Sequence, residues 1–151
     1  MGRIVWVAPK ESPYEIPSGT QGFVTSKGTI YLVKGRADEH VKEHEKAHIE
    51  LGHYTKSPRF PHTFIGQELD ADILTYKKMG RPVGLKQTLR ALLVELREEW
   101  KMGPKEAFRL VRDEMDKRSN YIPSRWFKDL EGLKRGYRVG EERHIKEVED
   151  V

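Results

Sequence analysis

His44 and His48, with Glu45 directly after the first of them, are the residues of this chain best placed to do chemistry. On an α-helix, positions i and i+4 lie about 40° apart around the axis and one turn apart along it. Both imidazoles can therefore turn toward one metal ion, each offering a ring nitrogen. Glu45 is offset by about 100° from His44, so it need not be a ligand, and its carboxylate can reach a water on the same ion. Val41, His44, His48 and Leu51 fall on one stripe, with Ala47 beside it, and this stripe is expected to turn inward. Two imidazoles buried side by side need partners, because an unpaired buried polar group is costly. A metal ion satisfies both.

A third ligand has to come from a separate element. Nineteen residues after His48 comes Glu68, in the segment Gly66-Gln67-Glu68-Leu69-Asp70-Ala71-Asp72. On a helix Glu68 and Asp72 share a face at i, i+4. Glu68 can complete a His/His/Glu set that leaves a fourth position for water. Asp72 can accept the second ring N–H of a ligating histidine and so fix its tautomer. The same acidic residues also read as a solvated face.

H-E-x-x-H, nineteen residues and then E-x-x-x-D resembles the gluzincin zinc metallopeptidases, the thermolysin-like clan. The stretch His44 to Asp72, with Leu51-Gly52-His53 inside it, is also similar to the ImmA/IrrE-type peptidases and to the small minigluzincins. The likeness covers about residues 29–80. It implies one Zn2+ per chain held by His44, His48 and Glu68, with Glu45 as general base and acid and Asp72 behind a ligand. It implies metal-assisted hydrolysis of a peptide or protein substrate. It also implies an active-site edge strand ahead of the metal helix, here Thr29 to Val33, to which a peptide adds through backbone hydrogen bonds. A C-terminal segment that keeps the enzyme latent is a further implication, and here that segment is Glu141 to Val151. Lys42 and Lys46 depart from the uncharged residues typical of these positions and are expected to point to solvent. His53, Tyr54, His62 and His144 are the residues available to steady an oxyanion besides the metal.

A different class of protein also fits. A non-catalytic, zinc-stabilised binding module could contact a repressor protein or nucleic acid through Lys77, Lys78 and Arg81. A peptidase restricted to one cellular partner is a third reading. The charge pattern speaks against nucleic acid: 28 Lys and Arg against 24 Asp and Glu leave a net charge of only +4. The signs are interleaved, as in Arg97-Glu98-Glu99-Trp100-Lys101, which describes an ion-paired surface better than a basic stripe.

The elements that must position these residues are an α+β set. Residues 3–7 read as a short strand, 8–22 as a turn-dense connection, and 22–33 as a β-hairpin turning near Ser26-Lys27-Gly28, giving a small antiparallel or mixed sheet. Asp38 is expected to cap the helix that carries the H-E-x-x-H motif, and Gly52 to end it after Leu51. A loop with Pro58 and Pro61 comes next, then a second helix from about Ile65 to Met79, stopped at Gly80-Arg81-Pro82. A third helix, about Gly84 to Lys101, shows an apolar face of Leu85, Leu89, Leu92, Leu93, Leu96 and Trp100. A fourth starts at Pro104, a short fifth is capped by Ser124, and the charged run from Gly136 is expected to pack loosely.

At 151 residues, with 36% hydrophobic and 34% charged, the chain reads as one domain with one core. The metallopeptidase-like part spans about 1–102 and a helical C-terminal extension about 103–151. No apolar run approaches the ~20 residues of a membrane span, and the apolar stretch before Pro9 is too short for a secretory signal. The absence of cysteine excludes disulfides, thiolate ligands and a cysteine nucleophile. A cytoplasmic protein is expected.

Overall fold

The chain begins with three short strands, β1 (Ile4–Val7), β2 (Gly22–Val24) and β3 (Ile30–Val33). The expected hairpin is β2–β3, antiparallel, with Phe23 opposite Tyr31. Its turn closes on a hydrogen bond from the Gly28 N–H to the Thr25 carbonyl, 2.9 Å. Gly28 sits at φ +81°, a left-handed conformation that glycine adopts without steric cost. β1 then pairs in parallel with β3, Ile4 level with Ile30, so the sheet is mixed and its order is β1-β3-β2.

This order corrects the edge-strand expectation for Thr29 to Val33. β3 is the central strand, hydrogen-bonded on both sides, and the edges belong to β1 and β2. Its side chains explain why. Ile30, Leu32 and Val33 are all fully buried, and a strand that is apolar on both faces goes to the middle of a sheet. β1 tolerates the edge and leaves Ile4 and Trp6 exposed.

The computed structural model describes residues 3–16, 20–55, 57–80 and 85–149, except for the side chains of 85–87 and 137–149. Helix α1 (Glu39–Glu50) starts as expected: the Asp38 carboxylate accepts a hydrogen bond from the Val41 N–H at 2.9 Å. Gly52 lies just past the helix with positive φ, and a 3-10 turn (His53–Thr55) comes next. Helix α2 (Pro61–Met79) begins four residues before the expected Ile65. Pro61 occupies the first helical position, where its missing N–H costs nothing and its fixed φ suits the helix. Gly80, left-handed, closes α2 with an N–H bond to the Tyr76 carbonyl. Arg81 and Pro82 lie outside the described residues.

Three more helices follow among the described residues: α3 (Leu85–Glu98), α4 (Pro104–Asp116) and α5 (Ser124–Glu149). α5 corrects the expected short fifth helix, because the backbone stays helical from Ser124 through Glu149; the packing of the run from Tyr137 lies outside the described side chains. Lys, Arg and Glu are good helix formers, and Glu142/Lys146 and Arg143/Glu147 stand at the i, i+4 spacing that supports a helix. The side chains of the segment expected to confer latency lie outside the described residues. No helix among the described residues is long and apolar enough to cross a membrane.

Instead of one core, the buried apolar residues among those described form two clusters. The larger joins α2 to α5 and includes Ile65, Leu69, Leu92, Leu96, Val111 and Trp126. The smaller joins the sheet to α1 through Ile30, Leu32 and Val41. The contact of α1 with α2 is where the two sides of the molecule meet.

Candidate metal centre

Helices α1 and α2 meet with Ala47 and Ala71, one on each, fully buried. Small residues let two backbones approach closely, which brings long side chains from both helices to one point. On α1 the expected inward stripe holds for Val41, His44, Ala47 and His48, all buried. It fails at Leu51, which is exposed because it is the C-cap residue, where the chain leaves the helix for Gly52. Glu45 and His40 are buried as well, so the inward face is wider and more polar than the stripe alone indicates.

The structure brings His44, His48 and Glu68 together. His44 Nε2 lies 3.0 Å from His48 Nε2 and 2.9 Å from Glu68 Oε2. His48 Nε2 lies 3.2 Å from Glu68 Oε1. Ligands arranged tetrahedrally at about 2.0–2.1 Å around an ion stand about 3.3–3.4 Å apart, so a triangle of this size fits a small cation with little adjustment. The donors, two imidazole nitrogens and a carboxylate, suit zinc and other first-row divalent ions. The Glu68 side chain keeps 24% of its surface exposed, so the triangle is open to solvent on its side.

Each of the two histidines is oriented from behind. His44 Nδ1 donates to Asp72 Oδ1 at 2.6 Å, which leaves Nε2 as the nitrogen that faces Glu68. His48 Nδ1 lies 2.9 Å from His53 Nδ1, one ring donating and the other accepting. His53, a candidate for steadying an oxyanion, is thus placed behind His48 instead. The other candidates lie elsewhere. Tyr54 packs against Gly28 in the hairpin turn, His62 is exposed and stacks on Phe60, and the His144 side chain is outside the described residues. His40, His44 and Asp72 form a second group of potential ligands deeper in the helix pair. Motif spacing does not single out His40, although its position one turn before His44 is a signal for it.

The electrostatics favour a cation. Burial works against a charged His44, yet the charges and hydrogen bonds of Asp72 and Glu68 outweigh it, and the ring's pKa is raised well above the ordinary value. Burial likewise opposes ionisation of Glu68, but hydrogen bonds from His44 and His48 hold its carboxyl far below the usual range. Glu68 thus offers a carboxylate at the place where a cation would sit between it and the two imidazoles. Burial raises the pKa of the Glu45 carboxyl, against the pull of His44 and His48, which suits a group that must take and return a proton. Burial lowers the pKa of His40 and of His53.

Lys46 points away and pairs with Glu43, and Lys42 pairs with Glu39. Of the basic residues considered for nucleic acid, Lys78 is paired with Glu50, Lys77 lies over the Tyr121 ring, and Arg81 falls outside the described residues. No protein-family model, curated protein or solved structure matches the chain.

Proposed function

We propose that this chain is a zinc-dependent metallopeptidase of gluzincin type, acting on a peptide or protein substrate. The observation that carries the reading is the meeting of His44 Nε2 and His48 Nε2, 3.0 Å apart, with the Glu68 carboxylate, one oxygen of which lies 2.9 Å from the first nitrogen and the other 3.2 Å from the second, next to the buried Glu45. His44, His48 and Glu68 would hold the ion. Zinc bound by such a set lowers the pKa of its water toward neutrality and polarises the scissile carbonyl.

The remaining roles belong to the chain's own groups. Glu45 takes a proton from the attacking water at its carboxylate and returns it to the leaving amine. Its burial keeps that carboxylate poorly solvated, so it is a stronger base than an exposed glutamate. Asp72 holds His44 in the tautomer that presents Nε2, and His53 does the corresponding service for His48. A substrate strand that adds to the sheet must use β1 or β2, since β3 is paired on both sides.

The test is hydrolysis of a diverse peptide pool and of folded protein substrates by the zinc-loaded chain and its Glu45→Gln variant. Turnover is expected to fall by at least about 100-fold in Glu45→Gln while zinc content stays near that of the unaltered chain. Full activity in that variant, or zinc content unchanged in His48→Ala, would refute the proposal.

A further inference from the structure

We infer that His40 is a positioning residue for the metal centre, acting on the ion through Asp72 and His44, and the inference rests on the reading of His44, His48 and Glu68 as metal ligands. His40, His44 and His48 stand at successive i, i+4 positions on α1. His40 is only 6% exposed, and neither of its ring nitrogens has a hydrogen-bond partner. Asp72 is 2% exposed, and its Oδ2 is likewise unpartnered. The two side chains are neighbours: His40 Nε2 lies 3.7 Å from Asp72 Oδ1, the oxygen that His44 engages, beyond the usual hydrogen-bond range by about half an ångström. Buried donors and acceptors left unmade are costly, so a donor and an acceptor this close are driven together.

The distances decide between two roles for this group. If His40, His44 and Asp72 flanked a second ion, their ligand atoms would stand about 3.3 Å apart. His44 Nδ1 and Asp72 Oδ1 are 2.6 Å apart, the separation of a pair sharing a proton. The inner group is therefore not spaced for a second ion: Asp72 is hydrogen-bonded to His44 on one side and faces the unpartnered His40 ring at 3.7 Å on the other. With His44 Nδ1 on Asp72 Oδ1 as its one hydrogen bond in the structure, the buried Asp72 carboxylate has room for a second donor, and the unpartnered His40 ring stands 3.7 Å away. His40 thereby fixes the carboxylate that fixes the ligand.

The experiment measures Zn2+ affinity of the full chain by competition with a chromophoric chelator, beside the visible spectrum of the Co2+-loaded form. His40→Phe keeps the ring volume without an N–H, and His40→Gln returns an N–H at similar reach. His40→Phe is expected to weaken zinc binding by about 10- to 100-fold and to shift the cobalt spectrum, while His40→Gln stays within about threefold of the unaltered chain. The melting temperature of metal-free His40→Phe is expected to equal or exceed that of the unaltered chain, since two unsatisfied nitrogens are gone. Affinity of His40→Phe within about twofold of the unaltered chain would overturn the inference, as would equal loss in both variants. A second zinc per chain that disappears in His40→Phe would also overturn it, making His40 a ligand. If the unaltered chain fails to bind zinc at all, the metal reading itself falls and this inference with it, an outcome distinct from tight binding that is indifferent to His40.

Discussion

Asp72 Oδ1 lies 2.6 Å from His44 Nδ1, so a carboxylate on α2 holds an imidazole on α1 by the nitrogen that faces away from Glu68. Glu68 stands one turn earlier on α2 and meets the opposite nitrogen of the same ring at 2.9 Å. One histidine is thus gripped on both sides by a single neighbouring helix. A rotation of α2 against α1 would lose the Glu68 contact and the orienting bond together. Because α2 belongs to the larger apolar cluster and α1 to the smaller, the same residues tie the two halves of the core.

An ion at that junction would act as a structural component. Zinc at about 1,000 times its dissociation constant should stabilise the folded chain by about 4 kcal/mol, provided it ignores the unfolded one. For a chain of this length the melting temperature should rise by roughly 10 °C. Differential scanning calorimetry with zinc and with excess chelator reads the difference, and His48→Ala should show little of it.

The metal-free protein should have a pH profile set by the same groups. His44 has a folded-state pKa raised well above 6.5, so its contribution is complete below pH 6.5 and is lost as pH rises through the raised value. Glu68 has a folded-state pKa depressed below 4.5, so its contribution is complete above pH 4.5 and is lost as pH falls through the depressed value. Glu45, whose folded-state pKa is raised above 4.5, adds a loss that begins as pH rises through 4.5. In chelator the melting temperature should therefore fall as pH rises above 6.5, and a His44→Gln variant should flatten that slope. Zinc affinity should run the opposite way and weaken toward acid, because the ion has to displace the His44 proton.

His53 should matter for affinity without touching the ion. His53→Phe leaves His48 Nδ1 without its 2.9 Å partner. Zinc binding is expected to weaken by about tenfold or more with helix content unchanged, measured by chelator competition and circular dichroism.

Gly66 is a test of packing away from the metal. A methyl group there would come within 2.7 Å of Arg118 Nη2. The Arg118 guanidinium, just past the end of α4, is engaged by Asp70 of α2 at 2.7 Å and by the buried Glu114 of α4 at 3.2 Å, so it cannot step aside without loosening the bridge it makes between those two residues. Gly66→Ala should cost about 1–3 kcal/mol in urea unfolding while leaving zinc stoichiometry alone.

Much of the local structure is legible in the residues themselves. The Asp38 cap, the hairpin over Gly28 and the apolar face of α3 with Leu89, Leu92 and Leu96 rest on interactions within a few positions. The start of α2 is not legible in this way, because Pro61 reads equally as loop or as a first helical residue and tertiary packing makes the choice. The helical course of α5 escapes detection because a charged run shows no apolar periodicity, although its i, i+4 charges permit a helix.

For the site, spacing along the chain is enough to put His44 and His48 on one helix face with Glu45 beside them, and Glu68 and Asp72 on another. A helix repeats every 3.6 residues whatever surrounds it, so separation in sequence fixes direction around the axis. The packed fold had to supply the rest: that these two faces meet, that His53 backs His48, that His40 lies buried against Asp72, and that β3 is a central strand. Those facts depend on which helix packs on which and which strand pairs with which. Such long-range choices come from burying both apolar clusters at once, and no short window of residues contains that information.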